Sequence, residues 1–386
     1  MAVFFDEVQR YHSGLIRESI LRGWKELGVD LGGKESVFIK INTVRPAKPS
    51  SCVVTHPAVV EALIRVLREM GLGRIVLGEG PAAGVSVEKA FQKSGFTRLA
   101  RRLNVPLLDL HREARESVEW EYGRLELPKV LLESDLYINV AKMKTHFHTG
   151  ITLSIKNQQG LLTPAAKKAN HRENHLHRSL VSIARVIQPD LVVVDGIDSM
   201  EGEGPTQGRK KHTGVMAFGD NMFETDIACC HFMGQSPLEV EHLSHAITQG
   251  LFPSSPKVSG DAFSRLRTSF EMPSPKPKKV LNFYSWKNYN ACAEDEHCFE
   301  EAIHLAMRQP RYWFTFFPKF MYLVLFKRFH LLRGKKATVP DMPGHVLCIG
   351  NCSRDTAEHC GAHFVPGCPP EPEDILKTVI RMKKRP

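Results

Sequence analysis

Short apolar strands alternating with helix-length amphipathic runs predict an α/β fold: a mostly parallel sheet with helices on both faces, plus a small C-terminal module that contains cysteines. Two observations carry this prediction. Val37 to Asn42 reads as a strand, Pro57 to Met70 as a helix stopped by Gly71, and Arg74 to Gly78 as a second strand, which is a βαβ unit. The 386 residues are also 42% hydrophobic and 24% charged, a globular balance that excludes fibrous and disordered classes.

The chain opens with apolar residues at helical spacing from Phe5 to Leu27, stopped by Gly28. After the βαβ unit, a helix is predicted at Val85 to Ser94 and strands at Val105 to Leu110 and Leu136 to Val140. A helix at Leu176 to Ile187 leads to strands at Leu191 to Asp195 and Gly214 to Phe218. Helices at Met222 to Met233 and Leu238 to Gln249 follow. Composition then changes, so three regions are expected. Residues 1–251 form the α/β main domain, and 252–337 a linker with an aromatic and basic helical region. Residues 338–386 form the cysteine module.

Fifty-two Lys and Arg against 42 Asp and Glu give a net charge of +10, which favours anionic partners without choosing among substrate, lipid and nucleic acid. No recognised motif accompanies the basic stretches, so no specific nucleic acid is expected. The N-terminal residues lack both the basic and the apolar segments of a signal peptide, and the expected location is the cytoplasm. The apolar run from Tyr312 to Phe326 is interrupted by Pro318 and Lys319 and cannot span a bilayer unaided. With the basic residues around it, the 311–336 segment either packs as a helix or makes a peripheral contact at the inner membrane face.

The densest chemistry lies between Asp135 and His177. A strand ending in Lys142, Lys144 and His146 places two cations and a titratable imidazole where a parallel sheet presents its binding loops, which suits a small anionic substrate. His146 can exchange a proton near neutral pH. Lys156 follows an apolar run, and a desolvated lysine becomes a nucleophile or covalent anchor; Asn157 adjoins it. The competing reading is a solvated basic edge. Asp195, Glu201 and Glu203 lie on a glycine-rich stretch and either neutralise the lysines, act as a base or form an ordinary acidic turn. His171 and His175 have the spacing of metal ligands on a helix, against an alternative of a polar loop.

Val37 to Asn42, Lys142-Met143-Lys144-Thr145-His146, Thr152 to Gly160, the His177 helix start, and Asp195-Gly196 through Pro205 together resemble the conserved family filed as domain of unknown function 362. The resemblance covers roughly residues 35 to 235 and implies a family without a reaction. The same region is distantly similar to the nickel-dependent lactate racemases. That resemblance makes His146 a catalytic group, Lys156 the tether of a nickel-pincer cofactor, and His171 or His175 a further functional histidine. Ser154-Ile155 stand where that family has two glycines before its tether.

Cys348, Cys352, Cys360 and Cys368 follow a C-x3-C-x7-C-x7-C spacing, and four such thiolates can ligate an iron-sulfur cluster or a zinc ion, or remain reduced thiols. The stretch from Val365 to Glu373 resembles the last ligand segment of the small iron-sulfur subunit of NADH:quinone oxidoreductases and related hydrogenases. It implies a [4Fe-4S] cluster, with Cys352 and Cys368 foremost, and an electron-donor protein as partner. Cys229-Cys230 lie in a helical run where inert cysteines are common. Three functions follow: an acid/base enzyme for a small anion of isomerase or redox type, an iron-sulfur electron-transfer protein, and a membrane-surface or scaffold protein.

Overall fold

The computed structural model describes residues 3–172, 176–273, 278–287, 293–334, 344–367 and 370–382. The chain divides into two compact units: the first is Met1–Asn170 with His175–Met272, and the second covers Pro273–Pro386 together with His171–Asn174.

The strands of the first unit are β1 (Val3–Glu7), β2 (Ser36–Lys40), β3 (Arg74–Glu79), β4 (Leu107–Asp109), β5 (Arg115–Trp120), β6 (Gly123–Pro128), β7 (Leu136–His146), β8 (Gly150–Thr152), β9 (Leu191–Glu201), β10 (Arg209–Gly219) and β11 (Val258–Ser259). Nine of them build one sheet in the order β11-β1-β10-β9-β7-β2-β3-β4, with β8 folded back on β7, and β5 and β6 pair separately. The run β9-β7-β2-β3-β4 is parallel, while β10 is antiparallel to both β9 and β1.

Both faces are buried, and side-chain alternation divides the apolar residues between them. Leu136, Ile138 and Val140 of β7 and Leu191 and Val193 of β9 join the helices Ser13–Leu27 and Pro57–Glu69 in one core. Met143 of β7 and Val192 and Val194 of β9 face the helices Leu176–Val186, Met222–Phe232 and Glu241–Thr248. Cys229 and Cys230 are fully buried in that second core, where burial pushes both thiols up.

The structure corrects the expected opening helix, which begins only at Ser13; Val3–Glu7 is a strand instead. Phe4 packs on one core while Val3 and Phe5 pack on the other, a period of two that five residues are too short to reveal against the helical pattern that follows. Strands β7, β9 and β10 each run to 11 residues, beyond the apolar stretches that mark them, because their distal halves carry lysines, acids and glycines. The β5–β6 hairpin was not anticipated.

The second unit contains β12 (Lys278–Val280), β13 (Phe283–Lys287), β14 (Phe329–Arg333), β15 (His345–Ile349) and β16 (His363–Val365) in one sheet of that order, parallel from β13 onward. Phe329, Leu331, Leu347, Ile349 and Val365 of this sheet share a core with Phe299, Phe316, Leu323, Ile375 and Val379 from three helices. The expected separation of a 252–337 region from a 338–386 module is therefore absent: strands and helices from both make one unit, and the contact boundary falls at Met272/Pro273.

Phe329 is fully buried against the rings of Phe283, Phe299 and Phe320. A Phe329→Ala change is expected to destabilise the second unit by about 3–5 kcal/mol in urea unfolding, since the aromatic cluster cannot collapse around the cavity. A loss below about 1 kcal/mol, the scale of a surface substitution, would contradict this packing.

Candidate functional site

Parallel strands deliver their last residues to one edge of the sheet, and here β2, β3 and β7 deliver charged ones. Lys40 ends β2 with no exposed surface, and its Nζ donates to Glu79 Oε1 of β3 at 2.7 Å, to the Ile41 carbonyl at 2.8 Å and to Asn157 Oδ1 at 3.3 Å. Glu79 also accepts the amides of Thr43 and Gly80 at 2.7 and 2.8 Å, so both oxygens are held. Gly160 lies directly over this pair: a Cβ there would collide with Glu79 Oε1 and the Lys40 ammonium, so only glycine fits.

An amide relay connects this pair to β7. Asn157 Nδ2 donates to Asn139 Oδ1 at 2.8 Å, Asn42 Nδ2 donates to Asn157 Oδ1 at 3.0 Å, and Lys144 Nζ donates to Asn42 Oδ1 at 2.7 Å and the Val53 carbonyl at 2.6 Å. Lys144 is fully buried, and among the described residues no carboxylate is bonded to it. Burial, and then the neighbouring cations Lys142, Lys156 and Lys40, bring its pKa down to about 7 against the partial support of Glu79.

Lys142, two positions earlier on the same face of β7, is in a closed arrangement. Its Nζ lies 2.9 Å from Asp195 Oδ2 and donates to the Tyr11 hydroxyl at 3.0 Å, while Tyr11 donates to Asp195 Oδ1 at 3.0 Å and the His56 amide to Oδ2 at 2.9 Å. Tyr11 stacks on the His56 ring at 3.7 Å. Lys142 and Asp195, both predicted from the sequence, thus neutralise each other.

Lys156 occupies the one-turn helix Ser154–Asn157, which is fixed by buried Asp226: its carboxylate accepts from Ser154 N, Ser154 Oγ and Ile155 N at 2.9, 2.6 and 2.9 Å. Burial pushes Asp226 up to about 7, against these hydrogen bonds. Lys156 is largely covered and makes no hydrogen bond or ion pair among the described residues, and desolvation lowers its pKa to about 8. Buried His242, whose two ring nitrogens lack partners among the described residues, has its pKa pushed well down by burial, with His177 and Lys156 adding to the effect.

Lys167 completes the group. It donates to the Gly80 and Pro81 carbonyls at 2.7 and 2.9 Å and meets His111 Nε2 at 2.9 Å. Burial, with Lys40 and Lys156 acting against Glu79, brings it to about 7. His146 ends β7, and its Nδ1 accepts the His148 amide at 3.0 Å, which assigns the ring proton of the neutral imidazole to Nε2.

The remaining sequence candidates are dispersed. Buried Glu201 bonds Arg209, Lys211 and the Glu271 amide at 2.9, 3.0 and 3.0 Å; burial raises its pKa, but these partners together hold it below the ordinary value. Glu203 is exposed on the following turn. His171 lies in the last turn of the helix Pro164–Arg172, and His175 lies outside the described residues. Cys348 is buried in β15 beside Leu332, Val346 and Ala357; Cys352 is in the short turn after it; Cys360 ends the helix Arg354–Cys360; and Cys368 lies outside the described residues. Among the described residues no three His, Cys, Asp or Glu side chains converge to hold a metal ion. Lys40, Asn42, Glu79, Lys167 and Asp226 were not predicted as site residues. A lysine and an asparagine interrupting the apolar run of β2, and a glutamate closing that of β3, were the available signals for the first three.

This arrangement defines a fold class, an α/β sheet with a cationic carboxyl edge, and the family follows. The chain belongs to the family described as Domain of unknown function (DUF362), whose model matches residues 37–231. It is 27% identical over 263 residues to a thylakoid-associated protein of Synechocystis sp., a match covering 65% of this chain and 80% of that one. Among solved structures, it is similar to a Thermotoga maritima protein with a TM-score of 0.39 and 15% identity, over 58% of this chain and 59% of that one. It is also similar to the lactate racemase apoprotein of Thermoanaerobacterium thermosaccharolyticum, with a TM-score of 0.42 and 12% identity, over 98% of this chain and 90% of that one. At those scores neither likeness bears on the chemistry. Among the described residues no helix is long and apolar enough to cross a membrane.

The lowered lysines set the sign of a pH dependence. Lys144 has a folded pKa of about 7 against 10.5 for the free side chain, so between these values the unfolded chain binds the extra proton and stability rises with pH. Replacing it by methionine is expected to flatten the stability profile between about pH 7.5 and 9 by roughly 1.4 kcal/mol per pH unit, the slope of one proton. Urea unfolding of both proteins across that window measures it; parallel profiles would show that Lys144 keeps its proton in the fold.

Proposed function

We propose that this chain is an enzyme that binds a small anionic substrate, a carboxylate or phosphate, at the carboxyl edge of its parallel strands and moves a proton on it. The observation that carries this reading is an imbalance of buried charge. Among the described residues Lys40 pairs with Glu79 and Lys142 with Asp195, whereas Lys144, Lys156 and Lys167 have no bonded carboxylate, and Asp226, beside Lys156, is engaged by the Ser154 and Ile155 amides. Uncompensated buried cations are costly, so either the amines release protons or an anion supplies the countercharge. Values of about 7, 8 and 7 for Lys144, Lys156 and Lys167 keep both responses accessible near neutral pH.

In this reading the bound anion keeps Lys144 and Lys167 protonated, and Lys156, which bonds no acceptor among the described residues, takes the proton through its free-base fraction, which grows as pH rises through about 8. Protonated Lys144 and Lys167 hold the anion, and His146 offers its Nε2–H to a substrate oxygen. Asn157 fixes Lys40 and Asn42, while Lys142 with Asp195 and Glu201 with Arg209 and Lys211 hold the surrounding strands. The nickel-pincer group implied by the racemase resemblance finds in Lys156 an amine that bonds no acceptor among the described residues, but no matching set of metal donors among them.

The test is a screen of short 2-hydroxy and 2-keto carboxylates and inorganic phosphate for protection of Lys156 against acetic anhydride, read by peptide mass. A protecting carboxylate is then followed for exchange of its carbon-bound hydrogen in deuterium oxide. Exchange is expected to fall more than about 100-fold in Lys156→Ala and in His146→Ala, with unchanged thermal unfolding. Equal labelling with every anion, or undiminished exchange in both variants, would remove the reading.

A second reading, an iron-sulfur redox protein with an electron-donor partner, draws on the second unit. Gly350 N donates to the Val365 carbonyl at 3.0 Å, Asn351 N to the Gly367 carbonyl at 2.9 Å, and Gly367 N to Asn351 Oδ1 at 3.0 Å. These bonds join the turn that carries Cys352 to the segment leading to Cys368 in sequence. On this reading, anaerobically purified protein contains iron and acid-labile sulfide, and Cys352→Ser loses both. Metal-free protein, or zinc without sulfide, would decide against the redox function.

A further inference from the structure

The helix Phe316–Phe326 in the second unit is apolar on both sides. Its inner side is accounted for: Phe316 and Leu323 are fully buried on the sheet core, and Phe316 stacks on Phe320 at 5.3 Å. Its outer side has no cover among the described residues. Pro318, Met321, Tyr322, Leu325 and Phe326 recur at the spacing of one helical face and are all exposed, Phe326 to 71%, while Phe314, just before the helix, is exposed to 84%.

A turn of the sheet prolongs this stripe. Val280 and Leu281, 63% and 61% exposed, form the tip between β12 and β13. The tip is pinned to the end of the helix: Asn282 donates from its backbone to the Val324 carbonyl at 3.2 Å and from its side chain to the Leu325 carbonyl at 3.0 Å. Leu281 adopts a φ of 55°, a left-handed conformation suited to glycine or asparagine. A bulky apolar residue with no burial to gain holds that position, beside the exposed end of an apolar helix.

Charge identifies the occupant. Between Pro310 and Gly334 the sequence contains no aspartate or glutamate, whereas Lys319, Lys327 and Arg328 accompany the stripe and Lys279 flanks the turn. Lys327 and Arg328 are exposed, and Lys327 lies 5.7 Å from the centre of the Tyr322 ring. Arg311 is already engaged by Glu373 at 2.7 Å. A second copy docked through the same stripe would bring no acidic residue from it to meet these cations. An apolar, aromatic ridge lying lengthwise with cations beside it matches the acyl and headgroup layers of an anionic bilayer.

We infer that the outer face of Phe316–Phe326, with the Val280–Leu281 tip, is a docking surface for an anionic lipid membrane. The helix lies in the plane of the interface with Phe326 and Leu281 inserted and Lys327 and Arg328 at the phosphates. This surface is independent of the lysine site of the first unit.

The full chain tests this by co-sedimentation with vesicles of phosphatidylcholine alone and of phosphatidylcholine mixed with phosphatidylglycerol. Binding to the mixed vesicles, weakened by salt, is expected. The double variant Phe326→Ser, Leu281→Asn should lose more than about tenfold in affinity, since two apolar side chains leave the interface. Lys327→Glu with Arg328→Glu should abolish the preference for the anionic vesicles. All four positions are exposed, and circular dichroism confirms that the variants remain folded. Failure of the wild type to bind, or binding unchanged in the Phe326/Leu281 variant, overturns the inference. So does a concentration-dependent dimer in sedimentation equilibrium that this variant abolishes, which would make the face a contact between copies.

Discussion

The ion pair of Lys40 with Glu79 is the constraint on which the carboxyl edge of the first unit depends. It is fully dry, joins the ends of two adjacent parallel strands, and has both carboxylate oxygens occupied by the Lys40 ammonium and two backbone amides. A buried pair of this kind adds little net stability compared with apolar side chains, but losing one partner leaves a stranded charge. Its effect here is geometric. Lys40 directs Asn157, Asn157 directs Asn42, and Asn42 accepts from Lys144, so one pair determines the placement of an amine on a different strand.

That placement would be unfavourable in isolation. Amines held near one another in a dry site repel, and each lowers the proton affinity of the next. Lys156 and Lys40 both act on Lys144 and on Lys167 in this way. A fold that needed only stability would replace such groups with leucine or methionine. The position of these amines next to a fixed ion pair, at the strand ends where α/β sheets receive ligands, is what motivates the proposed anion site. Asp226 is a further buried charge, a carboxylate that clamps the turn presenting Lys156.

Much of this architecture was legible in the sequence, because parallel strands buried on both faces announce themselves as apolar runs. Val37-Phe38-Ile39 and Leu191-Val192-Val193-Val194 marked β2 and β9, and the Lys142, Lys144 and His146 alternation correctly put three polar groups at one strand end. What escaped notice has a common cause. Lys40, Glu79 and Asp226 acquire meaning through partners 36 to 117 positions away or, for Asp226, 71 and 72 positions away, and no local period encodes such a pairing. Conversely, the sequence left open whether Asp195 neutralises a lysine, acts as a base or sits in an acidic turn, because its pairing with Lys142 is equally nonlocal. The opening strand failed for a different reason: its five residues pair with β10 near the far end of the unit, and a helical pattern follows closely.

The same limit explains why the cysteine spacing was easier to notice than to interpret. Spacing records order along the chain, whereas ligation needs donors that converge on a point. Cys348 faces an apolar cluster with Leu332 and Val346, a position that a strand register assigns and a motif cannot. Cys352 follows a glycine with a φ of 85°, at the turn where β15 leaves the sheet and meets the backbone of Val365 and Gly367. Two cysteines four positions apart therefore have different surroundings, one in the packed interior of a strand and one where the chain turns out of it. Packing of Cys348 with Leu332, Val346 and Ala357 anchors the strand from which that turn departs.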